Sequence, residues 1–187
     1  MNPGGSAGVP AADEAPAAIS PDATVLGFDV GSRRIGVAVG SAFGDGGRAV
    51  AVVEVRGGEP DWNALDRIRR EWQPGGLVVG DPLTLDDGDQ PARIRAHVFA
   101  RQLRARYRLP VVLVDERSSS QEAARRFAAA RASGGKRRRD AAALDAMAAA
   151  VIVERWFAAP ADAIDLDRLP APGAGATQTG ETDEPAR

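Results

Sequence analysis

Thr24-Val25-Leu26-Gly27-Phe28-Asp29-Val30-Gly31-Ser32-Arg33-Arg34-Ile35-Gly36-Val37-Ala38-Val39-Gly40 is the stretch on which the reading of the fold turns. Residues 24–30 are almost wholly apolar and rich in β-branched and aromatic side chains, the pattern of a buried strand. Gly31-Ser32 is a hairpin signal, and Ile35 to Gly40 reads as the returning strand. After a glycine-rich loop at 44–47, Ala49 to Val55 supplies a third strand, so the chain opens as an antiparallel meander. Asp29 is the misfit: a carboxylate within or at the end of a hydrophobic strand is costly unless something partners it.

Downstream, Trp62, Leu65, Ile68, Arg69 and Trp72 recur at helical spacing, and Pro74-Gly75-Gly76 ends that helix. Leu77-Val78-Val79-Gly80 is a short apolar run of the kind found inside parallel sheets. Residues 91–108 are expected to form a long helix with Ile94, Val98, Phe99 and Leu103 inward. Arg93, His97, Arg101, Arg104 and Arg108 would then form an exposed basic face, with His97 a surface residue. Val111 to Glu116 is a fifth strand. Ser119-Ser120-Gln121-Glu122 is a capping box opening a helix to about Arg131. Ser133 to Arg139 reads as a flexible basic loop, with Asp140 capping a last helix to Phe157. The order βββαβαβαα gives an α/β fold: a mixed five-stranded sheet, first three strands antiparallel, with helices on both faces.

The 187 residues, 44% of them hydrophobic, suffice for one domain with a core. The expected organisation is a disordered N-terminal tail at 1–23, a folded domain at 24–157 and a disordered acidic tail at 158–187. In the latter, Ile164, Leu166 and Leu169 form an apolar cluster able to dock. Neither a signal-peptide pattern nor an apolar run of the ~20 residues a membrane span needs is present, so a soluble, cytoplasmic protein without membrane association is expected. There is no cysteine and one histidine, His97, which excludes thiolate zinc sites, cysteine nucleophiles and paired-histidine zinc helices. Carboxylates number 26, and 23 of the 24 basic residues are Arg. Any metal should therefore be a hard, oxygen-bound ion such as magnesium or manganese. The net charge of −2 hides an asymmetry: residues 24–157 carry +5, and 91–140 carry 14 bases against four acids. That distribution suits a polyanion.

Three acids sit where acids are expensive: Asp29, Glu116 beside Asp115 at a strand end, and Asp145, which shares a helix face with Ala149, Ile152 and Trp156. Each also admits a structural role. Asp29 suits an Asx turn before Gly31; Asp115 and Glu116 suit pairing with Arg117 or Arg125; Asp145 suits pairing with an arginine of the 136–139 loop. Taken together at the C-terminal ends of strands, where α/β sheets bind ligands, they favour a metal-dependent nuclease of the two-metal type.

The motifs resemble a known family. Gly27-Phe28-Asp29-Val30-Gly31-Ser32-Arg33-Arg34-Ile35-Gly36-Val37-Ala38, then Val78-Val79-Gly80-Asp81-Pro82-Leu83, Asp115-Glu116-Arg117-Ser118 and Asp145-Ala146-Met147-Ala148-Ala149, are similar in order and spacing to the YqgF-type proteins. These are described both as Holliday-junction-resolvase-like and as pre-16S ribosomal RNA nucleases. The likeness runs from about Val25 to Phe157. It implies a ribonuclease H-like fold and a magnesium-binding acidic site, with manganese as a substitute. Asp29 would bridge two ions, Glu116 and Asp145 would each hold one, and water would be the nucleophile, leaving 5′-phosphate and 3′-hydroxyl ends. It further implies that Arg34 and the loop Lys136, Arg137, Arg138 and Arg139 hold backbone phosphates, with Arg33, Arg117 and Arg125 as additions. The chain departs from the family pattern at Gly40-Ser41, at Asp81 and at Ser118-Ser119, none of which touches the three acids. Asp81 is either a fourth carboxylate or a loop cap, and the loop cap is the expectation.

The implied activity is endonucleolytic processing of the pre-16S RNA 5′ end, with structured RNA and pre-ribosomal particles as partners. Resolution of branched DNA is the alternative, and a non-catalytic RNA-binding assembly factor is a rival of another class. An ATP-binding domain of the actin and sugar-kinase type shares the Gly-x-Asp-x-Gly opening but needs a second lobe and a second phosphate motif. A four-way junction requires two sites and hence a dimer, whereas RNA trimming does not; a monomer or weak homodimer is expected.

Overall fold

The Gly-Ser turn does what its composition dictates. In a computed structural model, which describes residues 18–44, 46–82, 91–116 and 137–169 (137–141 by backbone alone), β1 (Val25–Val30) turns back into β2 (Arg34–Gly40). The register pairs Phe28 with Val37 and Asp29 with Gly36. β3 (Arg48–Arg56) extends the meander antiparallel to β2, with a register shift at Val37/Ala38. On the other side of β1, β5 (Gly76–Asp81) runs parallel to it and β6 (Val111–Asp115) parallel to β5. The mixed sheet and its antiparallel opening therefore agree with the sequence pattern.

The strand count does not: with β4 (Glu59–Pro60) and β7 (Ile164–Asp165), the sheet formed by the described residues has seven strands, in the order β4-β3-β2-β1-β5-β6-β7. The extra two are two-residue edge strands, too short for any periodicity to register. β7 pairs antiparallel with β6, Leu166 behind it is buried, and Leu169 packs on the core. The chain assigned to a tail beyond 157 thus continues the domain as far as 169. The outer parts of both expected tails lie outside the described residues.

Two layers cover the sheet. α1 (Trp62–Trp72), capped by the Asp61 carboxylate accepting from Ala64 N–H at 3.0 Å, and α2 (Pro91–Tyr107) pack against Leu26, Phe28, Val37, Leu77 and Val79. The Phe28 ring meets Phe99 edge-on at 5.5 Å, a geometry worth ~0.5–1.5 kcal/mol beyond its buried area. α3 (Arg137–Ala158) covers the opposite face, setting Ala149, Ile152, Val153 and Trp156 on Val25, Ala38, Val78 and Val114. Alternation along β1 then places Asp29 on the α3 face, two residues beyond Gly27.

α2 is rotated from its expected orientation. Ala96, Phe99, Ala100 and Leu103 are buried, whereas Ile94 and Val98 are 51% and 46% exposed. The alanines allow the helix axis close to the sheet, and that gain outweighs burying two larger side chains elsewhere on the circumference. The rotation brings the basic stripe down beside the sheet. Arg93 and His97 meet Asp81, and Arg104 pairs with Asp167 at 3.2 Å, so this is no free basic face. α3 also begins earlier than expected, at Arg137, which makes Arg137, Arg138 and Arg139 helical rather than loop and puts Asp140 inside the helix. An acid favours both a cap and a first turn, so the residue type alone does not fix the boundary. The expected helix at 119–131 lies outside the described residues.

Gly36 sets the crossing of α3 over β2: a Cβ there would collide with the backbone carbonyl of Asp145. Gly36→Ala is expected to lower unfolding free energy by about 3 kcal/mol, the upper range for overpacking, because the obstacle is backbone and cannot rotate away. Urea unfolding checks it, and a loss under ~0.5 kcal/mol would contradict this crossing.

Candidate acidic centre

The parallel register of β1, β5 and β6 brings three strand ends to one edge, and the carboxylates follow. Asp29 stands at the end of β1. Glu116 is the first residue past β6, tied down by its N–H donating to the Asp81 carbonyl at 3.0 Å. One strand, β5, separates them. Its Gly80 carries no side chain, and a Cβ there would lie 3.0 Å from Glu116 Oε2. The gap lets Glu116 lean across β5 and share a hydrogen bond with Asp29. Asp145 on α3 adds its charge to the same place and is itself gripped by Arg34, whose Nε donates to Oδ2 at 2.7 Å.

Two carboxyl groups in hydrogen-bond contact require a proton between them. Burial pushes the Asp29 carboxyl up, and the nearby Asp145 charge adds to this. Burial, followed by the Asp29 charge, pushes Glu116 up to about 8; Arg155 pulls the other way. Arg155 also donates from Nη1 to the Asp115 carbonyl at 2.6 Å, bracing the end of β6 from behind. The donor set is hard oxygen throughout, which suits a divalent cation. As they stand, no three acids among the described residues already surround one point, because Asp145 is turned to Arg34.

A pH dependence follows with a definite sign. Between the ordinary glutamate value of 4.5 and about 8, the folded chain holds a proton that the unfolded chain has released. Stability of the metal-free protein therefore falls as pH rises through that window. Asp66, held at about 2 chiefly by Arg106, acts well below it. Urea midpoints in EDTA are expected to drop from pH 5 to pH 8 in the wild type and to drop less in Asp29→Asn, where burial of Glu116 remains but the Asp29 charge is gone. Equal wild-type midpoints at the two pH values would contradict the shared proton.

Asp81 is not a loop residue but the last residue of β5, on the α2 side of the sheet and buried. Its Oδ1 accepts from Arg93 Nε at 3.2 Å and faces His97 Nε2 at 3.0 Å, while Oδ2 has no partner among the described residues. His97 is therefore half-buried against a carboxylate rather than a free surface ring. Neither this contact nor Arg155 had a signal in the sequence beyond an ordinary basic residue on a helix. Of the expected phosphate contacts, Arg33 is exposed in the β1–β2 turn and Arg34 lies in the site. The α3 backbone starts at Arg137, while Arg117, Arg125 and Lys136 lie outside the described residues.

Residues 23–159 match the family model RuvX, described as Holliday junction resolvase. A protein of Xanthomonas campestris pv. campestris (strain B100), named "Putative pre-16S rRNA nuclease", is 76% identical over 146 residues, spanning 78% of this chain and 94% of its own. One of Xanthomonas axonopodis pv. citri (strain 306) with the same name is 77% identical over 143 residues, spanning 76% of this chain and 92% of its own. Among solved structures, the Thermus thermophilus RuvC structure aligns with a TM-score of 0.46 at 18% identity, over 76% of this chain and 99% of that one. With a family model matched over residues 23–159 and relatives this similar along nearly their full length, the chain belongs to the RuvX family.

Proposed function

We propose that this protein is a magnesium-dependent endonuclease, with manganese as a substitute, that hydrolyses phosphodiester bonds in the 5′ region of pre-16S ribosomal RNA in the cytoplasm. The observation that carries the reading is the Asp29–Glu116 carboxyl pair, with Asp145 beside it, at the C-terminal edge of the sheet. The names of the Xanthomonas relatives support the RNA substrate. The antiparallel meander followed by parallel strands supports the ribonuclease H-like assignment.

Asp29 and Glu116 would hold the cation directly, and Asp145 would join them once it exchanges Arg34 for the metal. Bound there, magnesium supplies Lewis-acid polarisation of the phosphodiester and neutralises charge developing in the transition state. The rest is the protein's work. Gly80 keeps the space in which Asp29 and Glu116 meet, Arg155 and the Asp81 carbonyl fix the end of β6, and Arg33 and Arg34 meet the phosphates.

The decisive experiment incubates the purified protein with a 5′-extended 16S precursor RNA and with a synthetic four-way DNA junction, each in magnesium and in EDTA. Cutting of the RNA in magnesium alone is expected. Cutting of the junction instead would assign branched DNA as the substrate. RNA binding without cutting of either would overturn the nuclease reading in favour of an assembly factor.

A further inference from the structure

The rotation of α2 leaves a feature that the acidic centre does not use. Exposed Ile94 and Val98 border a hollow of about 180 Å³, walled also by Val30 and Val55 and closed below by Phe99. It begins one residue after Asp29, at the Val30-Gly31-Ser32 turn, on the other side of the same sheet edge. It is far smaller than the ~300–1,000 Å³ of sites for drug-sized ligands, and suits a single flat ring system.

Its rim argues for a nucleic-acid ligand. Ser32 and Gln102 offer both donors and acceptors, and among the described residues no carboxylate lines it. Arg95 on the rim and Arg33, next in chain to Ser32, form no ion pair among the described residues, whereas Arg34, Arg56, Arg93, Arg104 and Arg106 are all paired to acids. An apolar slot with Arg95 on its rim and Arg33 next in chain to its Ser32, neither ion-paired among the described residues, matches a base accompanied by its own phosphates. Protein sites that read single strands take up bases in the same way, by apolar contact with hydrogen bonds to the base edge.

We propose that this hollow receives one unstacked nucleobase of the substrate strand, adjacent to the phosphate presented to Asp29. The proposal rests on the nuclease reading and adds a base-binding subsite to it. A strand crossing the sheet edge would place a phosphate over the acids on the α3 side and the neighbouring base on the α2 side.

The test is a fluorescence titration in EDTA, using single-stranded precursor RNA with 2-aminopurine placed at successive positions. The wild type is expected to brighten one position, as that base leaves its stacked neighbours. Val98→Trp, which fills the hollow, should abolish the brightening and weaken binding about tenfold. Gln102→Ala should keep the fold and the brightening and weaken binding about threefold. Circular dichroism melts check both variants. Brightening and affinity unchanged in Val98→Trp would overturn the proposal, as would wild-type affinity in Gln102→Ala should Val98→Trp fail to fold. Val98→Trp that cuts free RNA normally but no longer joins pre-ribosomal particles would assign the hollow to a protein partner instead. A wild type that neither binds nor cuts RNA or junction would sink the nuclease reading itself, a result distinguishable from a defect confined to the two variants.

Discussion

Asp29→Asn is expected to lower RNA cleavage in magnesium on the order of a thousandfold while leaving RNA binding intact or tighter. The magnitude follows from the position of the carboxylate. Polarisation of a phosphodiester by a held cation contributes several kcal/mol, and ~4 kcal/mol corresponds to about three decades in rate. The amide keeps the shape and still offers Glu116 a hydrogen-bond donor, so the fold should survive. It removes one of the charges that push the Glu116 carboxyl up, so the metal-free variant should be at least as stable as the wild type near pH 8. Binding should hold or improve because a negative charge has gone from beside the incoming phosphates. The paired measurement is single-turnover cleavage with filter binding in EDTA. Cleavage within threefold of the wild type would remove Asp29 from the chemistry. Parallel losses of cleavage and binding would point to a structural role instead.

Asp29 stood out because its surroundings are so regular: a carboxylate interrupting an apolar strand just before a Gly-Ser turn is conspicuous even though an Asx turn would also account for it. Asp145 was legible for the same reason, sitting on the face of α3 that buries Ala149 and Ile152. Glu116 was visible only beside Asp115, and the pattern alone did not separate the two. The separation is made by alternation along β6, which turns Asp115 to the side of Leu113 and Glu116 to the α3 side with Val114, and by Gly80, whose missing side chain leaves Glu116 room to reach Asp29. Such a relation exists only once β5 lies between β1 and β6. The orientation of α2 was misread because a hydrophobic pattern weights Ile94 and Val98 above Ala96 and Ala100, while close packing favours the smaller residues. The edge strands β4 and β7 were missed because two residues carry no period. In each miss the deciding term was tertiary: a gap, an approach distance or a free sheet edge.

Arg34→Gln is expected to separate two roles of one guanidinium. Its pair with Asp145 is partly open to solvent, the two side chains being 40% and 27% exposed, so its net contribution to stability is small, under ~1 kcal/mol. Its effect on the site is larger. Arg34 holds the Asp145 carboxylate that the proposed cation site would use, so magnesium bound there would have to displace it. Removing the guanidinium should therefore tighten magnesium binding several-fold, read by calorimetry without RNA. Under the proposed function, the same substitution would also delete a contact to the substrate phosphate. Cleavage should fall about 10- to 100-fold, and the salt dependence of RNA binding should lose about one ion's worth of slope. Arg34→Lys keeps the charge without the planar fork and should recover the salt slope but only part of the rate. Opposite signs on metal affinity and turnover are the signature, because a merely structural ion pair would weaken both together. Unchanged magnesium affinity in Arg34→Gln with wild-type cleavage would leave the Asp145 contact as surface electrostatics and nothing more.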